Sequence, residues 1–121
     1  MVYVRGWRGK IGLIFPATGG APDFEFHEWA PEGVGIFCTR LPFEVVSVDG
    51  LSKMGEFVEE AAALVAQAKV DLILFACTTG SLAKGFGYDQ ELIERMEKRT
   101  GIPALTTSTA VVEALNTLKL K

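Results

Sequence analysis

Four short apolar runs alternate with longer amphipathic segments along this chain, and few folds accommodate that order. Lys10-Ile11-Gly12-Leu13-Ile14-Phe15 is almost continuously apolar and ends at Pro16, the pattern of a strand covered on both faces. Gly33 to Arg40 is a second strand candidate, ending before Pro42. From Leu51 to Ala68 the apolar positions Leu51, Met54, Val58, Ala61, Ala62, Val65 and Ala68 recur at steps of three and four. This spacing predicts one helix with a single buried face, capped by Asp49 or Ser52. Val70 to Ala76 follows as a third buried strand. After Gly85 and Gly87, Asp89 is placed to cap a helix that turns Leu92, Ile93 and Met96 inward. Its outer side pairs Glu91 with Arg95 and Glu94 with Lys98. Thr100-Gly101-Ile102-Pro103 stops that helix, Pro103 to Thr106 forms a short fourth strand, and Thr107 or Ser108 caps a last helix carrying Val111, Val112, Leu115 and Leu118. With Asp23–Trp29 as a first crossover helix, the order is β-α repeated four times. Such alternation implies an α/β fold, with a four-stranded parallel sheet in order 2-1-3-4 and helices on both faces.

At 121 residues the chain holds one domain, residues 1–121, with no internal repeat or linker. A net charge of −3 gives no reason to expect nucleic acid or an acidic membrane as partner. Arg5, Arg8 and Lys10 form a basic cluster at the N-terminus, but no apolar core follows it, unlike a signal peptide. The apolar runs are strand-length, far below the ~20 residues of a membrane helix. Cys38 and Cys77 lie far apart without metal-ligand spacing, so no metal is expected, and a reduced, cytoplasmic protein is.

In a parallel α/β sheet, ligands bind beyond the carboxyl ends of the strands. Three loops fall on that edge: Pro16 to Pro22, Cys77 to Ser81, and Thr106 to Thr109. All are rich in small or hydroxyl residues and contain no Lys or Arg, which suits a carboxylate or enolate held by hydroxyls and backbone amides. Cys77 is the strongly nucleophilic candidate there, at a strand-to-helix transition where backbone dipoles favour a thiolate. From composition alone, a small residue closing a buried strand is an equal reading of it. Cys38, amid apolar neighbours in the second strand, is expected to be an inert core thiol. His27, with Asp23, Glu25 and Glu28, belongs to one segment of mixed spacing and is expected on a solvated helix face. Gly19-Gly20 lacks the further glycines of a dinucleotide loop and the Gly-Lys-Ser/Thr of a P-loop, so no cofactor is expected. A cysteine phosphatase requires Arg six residues after its cysteine, and Ala83 stands there. A non-catalytic binding or pairing module of flavodoxin-like fold remains the alternative to an enzyme.

At these loops the chain resembles a known family. Ile11-Gly12-Leu13-Ile14-Phe15-Pro16 resembles the opening strand and proline of the maleate isomerase and arylmalonate decarboxylase branch of the aspartate/glutamate racemase superfamily. Pro31-Glu32-Gly33-Val34, continuing to Thr39-Arg40-Leu41-Pro42, resembles the second strand of the maleate isomerases. Ala76-Cys77-Thr78-Thr79-Gly80-Ser81 is similar to the loop bearing the first catalytic cysteine. The run from Thr100 to Val111 is similar to the one that closes the first lobe. The resemblance implies a flavodoxin-like lobe that forms one half of a pseudo-symmetric two-lobed enzyme, with the site between the lobes. It implies no cofactor and a small carboxylate substrate. The chemistry is racemisation with one cysteine from each lobe, cis–trans isomerisation by attack of the first-lobe cysteine, or decarboxylation through an enediolate. Carried over, Cys77 is nucleophile or base, Thr78 and Thr79 bind the substrate carboxylate, and Pro16, Thr18 and Thr107 line the pocket. Where maleate isomerases have an asparagine after the first-strand proline, Gly19 or Gly20 stands here. The chain ends at Leu118-Lys119-Leu120-Lys121, where the family's second lobe would begin. A second lobe of the same protein, or another copy of the chain, is therefore the expected partner.

Overall fold

A computed structural model describes residues 6–120; Arg5 of the basic cluster and Lys121 lie outside the described residues. Strand β1 (Gly9–Pro16) leads to helix α1 (Ala21–Trp29) and strand β2 (Val34–Leu41). Helices α2 (Val48–Glu56) and α3 (Val58–Ala66) precede strand β3 (Leu72–Phe75). The short α4 (Thr78–Ser81) and longer α5 (Tyr88–Thr100) come next, then strand β4 (Ala104–Thr106) and helix α6 (Thr107–Thr117). All strand pairs are parallel and the sheet order is β2-β1-β3-β4, as the alternation predicts. Among the described residues no helix is long and apolar enough to cross a membrane.

The two faces are covered unequally. Ile14, Ile73 and Phe75 pack with Met54, Val58, Val65, Leu92 and Met96 from α2, α3 and α5 into the larger core. Leu13, Phe15, Leu74 and Ala76 point the other way and meet Phe26 of α1. Consecutive β1 residues thus bury on opposite faces, which explains why the run lacks polar alternation. Helix α1 has no buried residue, and Phe24 and Trp29 on it are exposed.

One segment departs from its sequence reading. The predicted helix from Leu51 to Ala68 is two helices, broken at Phe57, and the N-cap is Ser47, whose side chain accepts the Gly50 N–H at 3.0 Å. Arg95 of α5 supports the break. Its guanidinium donates to the Gly55 carbonyl at 2.9 Å and to both carboxylate oxygens of Glu59. A Cβ on Gly55 would lie 2.2 Å from the Tyr88 hydroxyl, so glycine permits this close approach of α2 and α5. The bidentate bond to Arg95 holds the Glu59 carboxyl below its ordinary range, with partial burial opposing. A depressed carboxyl contributes stability above its unfolded pKa, about 4.3, and loses it as pH falls through the folded value. Glu59→Gln is therefore expected to cost about 0.5–1 kcal/mol at pH 7, after allowance for solvent screening, and much less near pH 3. Urea melts at the two pH values measure the difference, and an equal loss at both would refute it.

Candidate active site

The sheet order places a switch point between β1 and β3. From β1 the chain crosses outward to β2, while β3 leads the other way to β4. Loops leaving β1 and β3 therefore diverge at their carboxyl ends, the place where sheets of this kind bind ligands. The register aligns Ile14 with Phe75 and Phe75 with Thr106, so Pro16, Cys77 and Thr107 emerge along one edge.

Cys77 closes β3 in extended conformation and is the N-cap of α4. The Gly80 N–H donates to Cys77 Sγ at 3.4 Å, and the Thr79 hydroxyl lies 3.7 Å from the sulfur. Gly80 is required by space: a Cβ there would meet Met54 Cε at 2.6 Å and Cys77 Sγ at 3.0 Å. The sulfur is half-buried, whereas the Thr78 and Thr79 side chains are exposed. Thr78 Oγ1 donates to Thr107 Oγ1 at 3.1 Å, joining the second and third loops. Cys77, Thr78, Thr79 and Thr107 thus form one cluster. Pro16 and Thr18 lie on the neighbouring loop, and among the described residues no hydrogen bond links Thr18 to the Cys77 turn.

The sequence reading of this edge needs four corrections. The edge is not free of arginine: Arg40, at the end of β2, donates to the carbonyls of Ala17 (3.0 Å) and Gly19 (2.6 Å) and lies over the Phe15 ring. It shapes the first loop, and its position one residue before the end of a strand is the only sequence signal for that role. The last helix is capped by Thr106, one residue earlier than expected. Asp89 caps nothing; Gly87, in the left-handed region, precedes α5, and Asp89 accepts a hydrogen bond from the Thr109 hydroxyl. Finally, Cys38 is not a core thiol. It is exposed on β2 and donates to Asp23 Oδ1 at 3.4 Å. Partial desolvation of the sulfur, followed by that bond and the Asp23 charge, pushes the thiol up to about 11. Cys38 is therefore expected to resist iodoacetamide at pH 8 although exposed. Peptide mass mapping checks this, and alkylation there as fast as at a free cysteine would contradict it.

Asp23, His27 and Cys38 bring potential ligand atoms within 4.8 Å of one another. Their polar groups already have partners. The His27 ring lies 2.7 Å from the Asp23 carbonyl, and Arg40 supplies a cation 3.4 Å from the Asp23 carboxylate. His27 is on a solvated face, as expected. Two surface depressions, about 450 and 350 Å³, are lined around Phe43 and Phe57 and around Glu32 and Phe37; neither contains Cys77.

Such an edge defines the class: a parallel α/β lobe that presents a cysteine at its switch point beside a pair of joined threonine hydroxyls. Within that class, a sequence model of the arylmalonate decarboxylase family matches residues 11–121, and the chain belongs to that family. It is 29% identical over 124 residues to a maleate isomerase of Pseudomonas putida, covering 93% of this chain and 50% of that protein. Among solved structures, the maleate isomerase of Pseudomonas putida S16 with maleate superposes with a TM-score of 0.84 at 22% identity, over 92% of this chain and 49% of that one. A mutant maleate cis-trans isomerase of Nocardia farcinica, carrying a covalently bound succinylcysteine intermediate, superposes at 0.83 and 22% identity, with the same coverage. These structures share the lobe's fold. The chain spans about half the length of the curated relatives it matches.

Proposed function

We propose that this chain is the first lobe of a cofactor-independent enzyme acting on a small carboxylate or dicarboxylate, with Cys77 as the reacting thiol. The observation that carries the reading is the placement of Cys77 Sγ at the switch point, with the Gly80 N–H directed at it and the Thr78–Thr107 pair beside it. The N–H contact orients the sulfur, and exposed hydroxyls beside it are donors for a carboxylate. Racemisation and decarboxylation also act next to a carboxylate. Cis–trans isomerisation fits best, because half-buried sulfur with an open approach can add to a double bond and a relative carries a succinyl group on cysteine. The thiolate adds to one alkene carbon, and the electron pair moves through the neighbouring carbon into its carboxylate. Rotation about the resulting single bond follows, then the C–S bond breaks and the thiolate is restored. No redox partner is consumed.

The lobe would supply half of the site. Val111, Val112, Leu115 and Leu118 of α6 and its extension are all exposed, an apolar strip suited to burial against a second lobe of the same protein or another copy of the chain. A purely binding or pairing module would use the same strip without the thiol. The test is a substrate panel on the intact protein: cis-dicarboxylates followed by proton NMR, amino acids in deuterated water, and arylmalonates for release of carbon dioxide. Conversion in one assay that vanishes on iodoacetamide treatment supports the reading. Binding without conversion in all three favours the pairing module.

A further inference from the structure

Behind the Cys77 turn runs a chain of hydroxyls that the reaction does not consume. Ser81 Oγ lies 2.8 Å from the Thr78 carbonyl and 2.6 Å from Ser108 Oγ. Ser108 Oγ lies 3.1 Å from Thr106 Oγ1, which is 2.9 Å from Thr109 Oγ1. Thr109 Oγ1 in turn lies 2.5 Å from Asp89 Oδ2. Ser81, Thr106 and Ser108 are buried, so the two links among them exist without competition from bulk water.

Counting protons fixes three of these five bonds and leaves the other two sharing one proton. A carbonyl only accepts, so Ser81 spends its single proton on Thr78. Ser108 must then donate to Ser81. A carboxylate also only accepts, so Thr109 donates to Asp89. Thr106 alone has a choice, between Ser108 and Thr109, while its oxygen accepts the Thr109 N–H at 3.2 Å. A chain with one free proton direction is specific in geometry, unlike a cluster of surface hydroxyls that water can rearrange.

Ser81 is the link to the sulfur. Its N–H donates to the Cys77 carbonyl at 3.0 Å, and its hydroxyl holds the next carbonyl, that of Thr78. The first two carbonyls of the turn that aims the Gly80 N–H at Cys77 Sγ are thereby held by one residue. Ser108 then ties that residue to the start of α6. We infer that Ser81 and Ser108 are positioning residues for Cys77: through this hydroxyl chain they fix the turn whose N–H faces the sulfur. The inference deepens, and rests on, the reading of Cys77 as the reacting thiol.

The test measures alkylation of each thiol in the intact protein at one pH by peptide mass mapping, with added glutathione as the rate reference and the resistant Cys38 as a reporter of loosening. Ser81→Ala and Ser108→Ala are each expected to slow Cys77 by roughly three- to ten-fold relative to glutathione, because the donor to sulfur is no longer held in place. The double variant should be no slower than the slower single one, since both act through one chain. Ser108→Thr, which keeps the hydroxyl, should restore the rate, and it decides the matter if Ser81→Ala fails to fold. Faster alkylation of Cys38 in the same variant would mark general loosening and overturn the inference. So would additive effects, or failure of Ser108→Thr to rescue. If slowing is seen yet Cys77→Ser leaves turnover unchanged, the positioning stands and the functional reading falls.

Discussion

Replacing Cys77 with serine is expected to reduce turnover of the intact protein by a factor of ~10² or more, while its far-UV circular dichroism stays unchanged. The substitution is nearly isosteric at a half-buried position, so stability should move little. Chemistry should change greatly, because at neutral pH a serine hydroxyl is far less ionised and far less nucleophilic than a thiol. Cys38→Ser serves as the paired control. Its sulfur lies on the outer side of β2 against Asp23, so turnover should be unaffected. The two variants together separate a specific thiol from general sensitivity to cysteine loss. Wild-type turnover in the Cys77 variant would end the proposed mechanism and leave the family assignment intact.

Thr106→Val is expected to be the most destabilising single change at the site, by about 2–4 kcal/mol. Thr106 is fully buried at the end of β4, and its hydroxyl does two things at once. It accepts the Thr109 N–H as the cap of α6, and it donates its one proton to Ser108 or Thr109. Valine has the same shape, so no cavity forms, and the loss measures the polar links alone. Thermal or urea unfolding of the variant checks the magnitude. A loss below about 0.5 kcal/mol would mean that water or a shifted neighbour replaces those bonds.

Much of the lobe was legible from the chain. Consecutive residues such as Leu13, Ile14 and Phe15 can all be buried only in a strand covered on both faces, and that demand led to the parallel sheet. Right-handed crossovers then narrow the strand order, and β2-β1-β3-β4 follows. Cys77 ends a buried strand before small residues, and this located the candidate site. The helical spacing from Leu51 to Ala68 was legible too, but the break at Phe57 was not. Apolar periodicity passes smoothly through that point, while the Arg95 guanidinium that donates to the Gly55 carbonyl comes from a helix 40 residues later.

Cys38 shows the other boundary. Its apolar neighbours suggest a core, but burial depends on what covers a strand, and α1 covers the edge strand β2 only thinly. Arg40 belongs to the same case: it falls outside the loops compared for charge, yet from the end of β2 it reaches across to the first of them. The sequence by itself determined which segments become strands, their order in the sheet and the edge that carries the candidate site, because these follow from local periodicity and chain handedness. Only the tertiary structure decided the helix break, the exposure of Cys38 and the pairing of Ser81 with Ser108, 27 residues apart. Those depend on side chains meeting across space, where the partner of a hydroxyl or guanidinium is set by packing and leaves no periodic trace in the chain.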